Sequence, residues 1–317
     1  MQAKPMRVVF MGTPAFAVPT LSALVDAGYS VELIVTQPDR PAGRKQILKP
    51  PPVKQKALDL GLPVFQPLRV KTPDSCERLQ AIAPEVIVVV GYGQIIPRNI
   101  IDLPPYGCIN VHASLLPKYR GAAPINWAIA NGEARTGVTT MKIVFELDAG
   151  DMLLKRETPI GFDETAEQLS QRLAPIGAAL LIETLEGLAD GSIIPDPQNE
   201  DEVTLAPILK RGDGEIDWSL TAHRIYDRLR GFTPWPGIHT YFRGRRLQIH
   251  RARPLDKSGP PPGRISTSEG RLHVGCGGSS SLAVDEVQPE GKRRIDAFDF
   301  VRGYRPEEGE RLGESRQ

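Results

Sequence analysis

Short β-branched, apolar runs recur along the first half of the chain, at residues 6–10, 31–36, 85–90, 107–112 and 137–144. Segments with helical spacing separate them: Ala15 to Ala27, Lys54 to Leu60, Asp74 to Ile82 and Pro124 to Ala130. Strands that alternate with helices imply βαβ units and a mostly parallel, doubly wound sheet covered on both faces. Residues 165–190 form the longest helical stretch, with Thr165 and Gln168 as a capping box and Gly191 as its stop. Pro175 is expected to kink or split it.

The pattern changes after Gly191. Residues 193–208 hold Pro195, Pro197 and Pro207 among acidic and polar residues, which reads as an extended linker over a surface. A short amphipathic helix over Thr221 to Arg230 follows. Short alternating strands come next, near 238–242, 246–253, 263–267, 271–275 and 281–287, parted by Gly, Pro and Ser turns. That spacing suggests a small all-β barrel. The expected organisation is therefore a domain over 1–191, a linker over 192–210 and a second domain over 211–317, with the last dozen residues a mobile tail.

Composition narrows the function class. At 317 residues and 40% hydrophobic, the chain can bury two cores, and no apolar run approaches the ~18 residues of a membrane span. The first strand begins within ten residues, which leaves no room for a signal peptide and points to a cytoplasmic protein. Cys76, Cys108 and Cys276 are far apart and the five histidines are scattered, so neither a disulfide framework nor a metal site is expected. The net charge of +1 conceals an asymmetry. Residues 1–210 carry 20 basic and 23 acidic groups, and residues 211–317 carry 19 and 15, which hints at a polyanionic partner for the second part. A dinucleotide site is rejected, because Met11-Gly12-Thr13-Pro14 has one glycine where that fingerprint needs three.

The most informative stretch is 107–124, GCINVHASLLPKYRGAAP. Asn110 and His112 are two apart on a strand and so share a face. They stand at its carboxyl end, where open parallel sheets bind ligands. The apolar irregular segment Ser114-Leu115-Leu116-Pro117 follows, and Gly121 frees the backbone again. A loop of this kind suits a flat heteroaromatic ligand. Gly91, Tyr92 and Gly93 end a neighbouring strand, where two glycines allow close backbone approach. From Arg40 to Lys56 there are six basic residues (Arg40, Arg44, Lys45, Lys49, Lys54, Lys56) and no acid. In the second domain Arg243, Arg245, Arg246, Arg251 and Arg253 lie within eleven residues, with His250 and no acid.

The segment 107–124 resembles the signature of the folate-dependent formyltransferases, and its continuation Ser114-Leu115-Leu116-Pro117-x-x-Arg120-Gly121-Ala122-Ala123-Pro124 looks most like the methionyl-tRNA formyltransferase family. The likeness extends from Gly12-Thr13-Pro14 to Phe232-Thr233-Pro234-Trp235-Pro236, nearly the whole chain. It implies a Rossmann-like formyltransferase domain followed by an OB-like barrel. It also implies 10-formyltetrahydrofolate as formyl donor, no metal, methionyl initiator tRNA as acceptor, and a monomer. The implied catalytic group is Asn110, His112 and Asp148, the last within Leu147-Asp148-Ala149-Gly150-Asp151. The implied folate pocket is Ser114, Leu115, Leu116 and Pro117 with Gly91, Tyr92 and Gly93. Thr36 to Arg44 resembles the family's tRNA loop, which brings in Arg40, Arg44, Lys45 and Lys49. Arg44-Lys45-Gln46-Ile47-Leu48-Lys49 departs from the common Arg-Gly-Lys-Lys-Leu.

The chemistry such a group must serve is formyl transfer to an amine. The carbonyl oxygen gains negative charge, the amine loses a proton and the leaving nitrogen gains one. Asn110 offers a neutral donor to the oxygen. His112 can donate to that oxygen or carry a proton, and Asp148 can hold the ring or take the amine's proton through a water. A plain Asx-turn before Gly150 is the structural alternative for Asp148. Ser114 lacks the Gly-x-Ser-x-Gly setting of a hydrolase nucleophile. Two rival functions stand beside this one: a formyltransferase for a small amine, and a non-catalytic RNA-binding module on the same fold. Trp127, Trp218 and Trp235 are expected to pack rather than stack on bases.

Overall fold

The computed structural model describes residues 6–42, 47–267 and 270–313. The first unit in chain order holds β1 (Arg7–Gly12), α1 (Val18–Asp26), β2 (Ser30–Val35), β3 (Arg40–Ala42), β4 (Ile47–Lys49), α2 (Pro52–Asp59), β5 (Val64–Phe65) and α3 (Pro73–Ile82). The chain goes on through β6 (Val86–Val90), α4 (Arg98–Ile101), β7 (Cys108–His112), α5 (Pro124–Ala130), β8 (Arg135–Lys142), β9 (Met152–Pro159) and α6 (Ala166–Ala189). Two compact units result: residues 1–124, 135–159 and 170–206, and residues 125–134, 160–169 and 207–317.

Every residue of β6 is buried, and so are Val8 to Met11 of β1. Strands apolar on both faces must lie inside a sheet covered on both sides. They do: the sheet order is β5-β2-β1-β6-β7-β8-β9. The first five strands run parallel, whereas β8 is antiparallel to β7 and β9 antiparallel to β8. The sheet is thus mixed at one edge, and β9 carries too many charged residues (Lys155, Arg156, Glu157) to read as a strand from apolar patterning. From β1 the chain winds outward through β2 to β5 and then crosses back to β6 on the other side of β1, so the β1/β6 crevice at the carboxyl edge is the topological switch point where such sheets bind ligands.

Helix α6 runs unbroken from Ala166 to Ala189 with Pro175 inside it, so Pro175 does not split the helix. Burial of Leu169, Leu173, Ala174, Leu180, Leu181 and Leu185 outweighs the roughly 3 kcal/mol a mid-helix proline costs. Its capping box forms as expected: Gln168 N donates to Thr165 Oγ1 and Thr165 N to Gln168 Oε1. A Cβ on Gly177 would meet Val111 Cγ1 at 2.8 Å, so α6 sits closely on the back of β7. That contact decides the site: Val111 faces the helix, and Asn110 and His112 face the other way.

In the second unit α7 (Ala222–Gly231), capped by Thr221, precedes β10 (Ile238–Phe242), β11 (Arg245–Leu255), β12 (Ile265–Ser266), β13 (Leu272–Cys276), β14 (Ser280–Pro289), β15 (Ile295–Asp296) and α8 (Ala297–Tyr304). The antiparallel sheet has the order β10-β11-β14-β13-β12, with β15 beside β14, and forms a half-barrel. Helix α8 is an addition to the all-β expectation; Asp296 caps it and Phe300 anchors it beside Phe242.

Candidate active site

Strand β7 delivers Asn110 and His112 to the carboxyl edge, and the loop between β8 and β9 delivers Asp148. Asn110 Nδ2 lies 3.5 Å from Asp148 Oδ1, and His112 Nδ1 lies 3.7 Å from Asp148 Oδ2. The backbone N–H of Gly121 donates to the same Oδ2 at 2.8 Å. These partners lie 27 to 38 residues away in sequence, so the carboxylate serves a tertiary cluster. Asp148 itself has φ +49°, a left-handed conformation that is costly for a residue with a Cβ. Next to it Gly150 is obligatory, since a Cβ there would sit 1.9 Å from Lys142 O.

His112 is 5% exposed, and its Nε2–H donates to Tyr119 O at 2.9 Å. That bond leaves Nδ1 as the nitrogen facing the carboxylate, and a proton added there forms an ion pair with Asp148. Tyr119 is itself held at φ +63°. Asn110 is half-buried and has two amide N–H groups. One of them suffices for the long contact to Asp148, and the other remains available to a substrate oxygen.

The loop after β7 is built by Thr139, which β-pairing places opposite His112. Its hydroxyl donates to Ser114 O at 2.7 Å and accepts from Leu116 N at 3.1 Å. Ser114 Oγ donates to Lys118 O at 2.7 Å, so the serine is spent on loop geometry. Leu116 and Pro117 are buried and joined by a cis peptide, with Leu115 half-buried beside them. Thr139→Val should destabilise the fold by about 1–3 kcal/mol, because the Leu116 N–H is then buried without an acceptor. Thermal or denaturant unfolding of the variant would check this, and an unchanged stability would contradict it.

Gly91 and Gly93 are exposed at the end of β6, both with positive φ, where backbone can approach a ligand. Tyr92 between them points the other way. Its ring is 2% exposed in the core cluster with Val9, Met11 and Val89, and burial pushes its phenol up to about 12. Its carbonyl accepts from Thr13 Oγ1 at 3.0 Å and Gln37 Nε2 at 3.2 Å. The ring is therefore not a pocket wall. Tyr92 offers only its backbone position.

Among the basic residues, Arg40 and Lys49 face each other across the β3–β4 hairpin, and both are exposed. Arg44 and Lys45 lie outside the described residues. Lys54 is not free for a partner: its ammonium binds Asp39 at 2.8 Å. Gln66 joins that pair, and the two together hold the Asp39 carboxyl below the usual range. In the second unit Arg243 is tied to Glu310 and to the carbonyls of Tyr304 and Arg305, while Arg245, Arg251 and Arg253 are exposed along β11. Trp218 is buried and Trp127 donates to Pro207 O, whereas Trp235 is 51% exposed.

Sequence reading missed Tyr119, Thr139 and Gln198, whose contributions are tertiary hydrogen bonds. Around the carboxylate, Asn110 and His112 carried the local signal of a shared strand face and Gly121 that of its backbone freedom.

Among known proteins, the formyl transferase model matches residues 6–185 and that of the formyl transferase C-terminal domain matches residues 208–305. A methionyl-tRNA formyltransferase of Koribacter versatilis (strain Ellin345) is 56% identical over 309 residues, 97% of this chain and 99% of the relative. That of Solibacter usitatus (strain Ellin6076) is 54% identical over 310 residues, 98% and 99% of the two chains. An N-formyltransferase from Helicobacter canadensis, solved with folinic acid and dTDP-3-aminofucose, has a TM-score of 0.67 over 90% of this chain and all of that one; at 16% identity this is a likeness of fold. With near full-length identity above one half, the chain belongs to the methionyl-tRNA formyltransferase family.

Proposed function

We propose that this chain transfers the formyl group of 10-formyltetrahydrofolate to the α-amine of methionine charged on initiator tRNA, for translation initiation with formylmethionine. The observation that carries the chemistry is the convergence of an amide, an imidazole and a carboxylate at the carboxyl edge of β7. The donor supplies a formyl group already activated toward an amine. The residues at hand suit it. The exposed backbone of Gly91 and Gly93 at the switch point and half-buried Leu115, on a turn fixed by buried Leu116 and Pro117, would hold a flat heteroaromatic ring. No group of three or more His, Cys, Asp or Glu among the described residues could hold a metal.

In this assignment the free N–H of Asn110 donates to the oxygen on which charge collects during transfer, and it does so best where that charge is greatest. His112, with Nε2–H committed to Tyr119 O, takes up and returns a proton at Nδ1. The Asp148 carboxylate, held by Gly121 N–H, stabilises the protonated ring. Residues 1–191 are assigned the chemistry and 211–317 a supporting contact to tRNA through Arg245, Arg251 and Arg253.

Arg40 and Lys49 support the tRNA reading. Like charges directly opposed on a two-stranded ribbon repel, and a polyanion relieves that cost. Arg44 and Lys45, outside the described residues, are assigned a tRNA contact from the likeness of Thr36 to Arg44 to the family's loop. Lys49→Ala should reduce the salt slope of tRNA binding by about 0.7–0.9, one phosphate contact, and leave formyl-folate binding unchanged. An unaltered slope would remove Lys49 from the interface. No helix among the described residues is long and apolar enough to cross a membrane, and we assign the reaction to the cytoplasm, with a monomer as the working unit.

The deciding experiment offers formyl-folate with charged initiator tRNA, glycinamide ribonucleotide or an amino-sugar nucleotide. Formylation of the tRNA alone is expected. Preferential formylation of either small amine would overturn the substrate, and none with any acceptor would favour a binding module.

A further inference from the structure

Asp148 has to be aimed by a loop with no regular structure, and its own backbone sits in the left-handed region. The group that fixes this turn comes from residue 198, in the proline-rich stretch that follows α6. Gln198 Nε2 donates to Asp148 O at 2.7 Å and to Gly150 O at 2.8 Å, so both amide N–H groups are used on one turn. Its Oε1 accepts from Arg120 Nε at 2.9 Å. Arg120 is 6% exposed, and Glu200 binds the same guanidinium at 2.8 Å, which holds the Glu200 carboxyl below its ordinary range.

The residues on either side of Arg120 are the two that hold the catalytic pair. Gly121 N–H binds the Asp148 carboxylate, and Tyr119 O receives His112 Nε2–H. The stretch itself is pinned to them: Arg120 N donates to Thr204 O, Ala206 N to Arg120 O, Tyr119 N to Thr204 Oγ1, and Asp196 pairs with Met152. One side chain therefore couples the backbone of Asp148 to the segment that carries a partner of Asp148 and a partner of His112. We infer that Gln198 is a positioning residue for formyl transfer, acting through Asp148, and that residues 196–206 brace the catalytic pair.

The roles of its two ends can be separated. Gln198→Leu removes the donors and the acceptor. Gln198→Glu keeps the acceptor for Arg120 and turns oxygen toward the carbonyls of Asp148 and Gly150, which repels them. Because misplacement of a reacting group by about 1 Å can cost ~10²-fold, both variants should lose roughly 10- to 100-fold in kcat, with KM for charged tRNA nearly unchanged. In an Asp148→Asn background, assayed with long incubations, neither should cause a further loss, since residues that act through one group are not additive.

Normal kcat in either variant, losses that multiply with Asp148→Asn, or a change confined to KM would each overturn the assignment. Should Gln198→Leu not fold, Gln198→Glu, which retains the Arg120 bond, still decides. The inference rests on the formyl-transfer reading, and the two fail differently. An unmodified chain that cannot formylate the tRNA sinks the function, whereas active wild type with indifferent Gln198 variants sinks only the brace.

Discussion

Asp148→Asn should lower turnover by roughly 10³-fold or more while the protein stays folded, since an amide keeps the size of the side chain but cannot hold a protonated imidazole. The structure gives the reason in three contacts. Oδ2 receives the Gly121 N–H and faces His112 Nδ1, and Oδ1 faces Asn110 Nδ2. An asparagine can place its oxygen toward Gly121, and its NH2 then points at the Asn110 amide, donor against donor. With its oxygen turned toward Asn110, it opposes the Gly121 N–H instead. Either orientation withdraws the negative charge that balances a proton on Nδ1. His112→Ala should be at least as damaging as loss of a single donor. Steady-state kinetics with charged initiator tRNA would check both, alongside an unfolding curve. Near-normal turnover in either folded variant would dissolve the cluster as a catalytic unit.

Asn110→Ala should cost about 10²–10³-fold in kcat, with tRNA affinity unaltered. The amide is half-buried at the end of β7, and its contact to Asp148 is long, so removing it leaves no strongly bonded partner exposed. The loss should fall on kcat and kcat/KM alike, the signature of an interaction made mainly in the transition state. A rise in KM at constant kcat would instead mark Asn110 as a ground-state contact, and the donor to the developing charge would have to be sought elsewhere.

The comparison of these two sites shows how far local sequence reaches. That Asn110 and His112 share a face follows from the two-residue period of a strand, and the apolar run around them is long enough to specify the strand. The mostly parallel sheet follows from the alternation of β-branched runs with helical spacing, and the Thr165/Gln168 cap from a pattern four residues long. Each of these signals is carried by neighbours in the chain. Strand β9 and the β3–β4 hairpin left no such trace. Lys155, Arg156 and Glu157 of β9 and Arg40, Ile47, Leu48 and Lys49 of the hairpin are exposed, and these segments are strands because a partner strand supplies hydrogen bonds. For the opposite reason Pro175 does not split α6: the local penalty is real, and burial along the rest of the helix outweighs it.

The sequence by itself determined that Asn110 and His112 share a strand face, that Gly91 and Gly93 end the neighbouring strand and that residues 40–56 are basic, because residue type and short-range period encode them. Only the tertiary structure decided which nitrogen of His112 meets Asp148, that the Tyr92 ring belongs to the core, and that Lys54 is spent on Asp39. It alone brought Thr139, Gly121 and Gln198 to the site. A hydrogen bond across tens of residues depends on where two elements pack, and packing is a property of the whole core, to which no single stretch of chain holds the key.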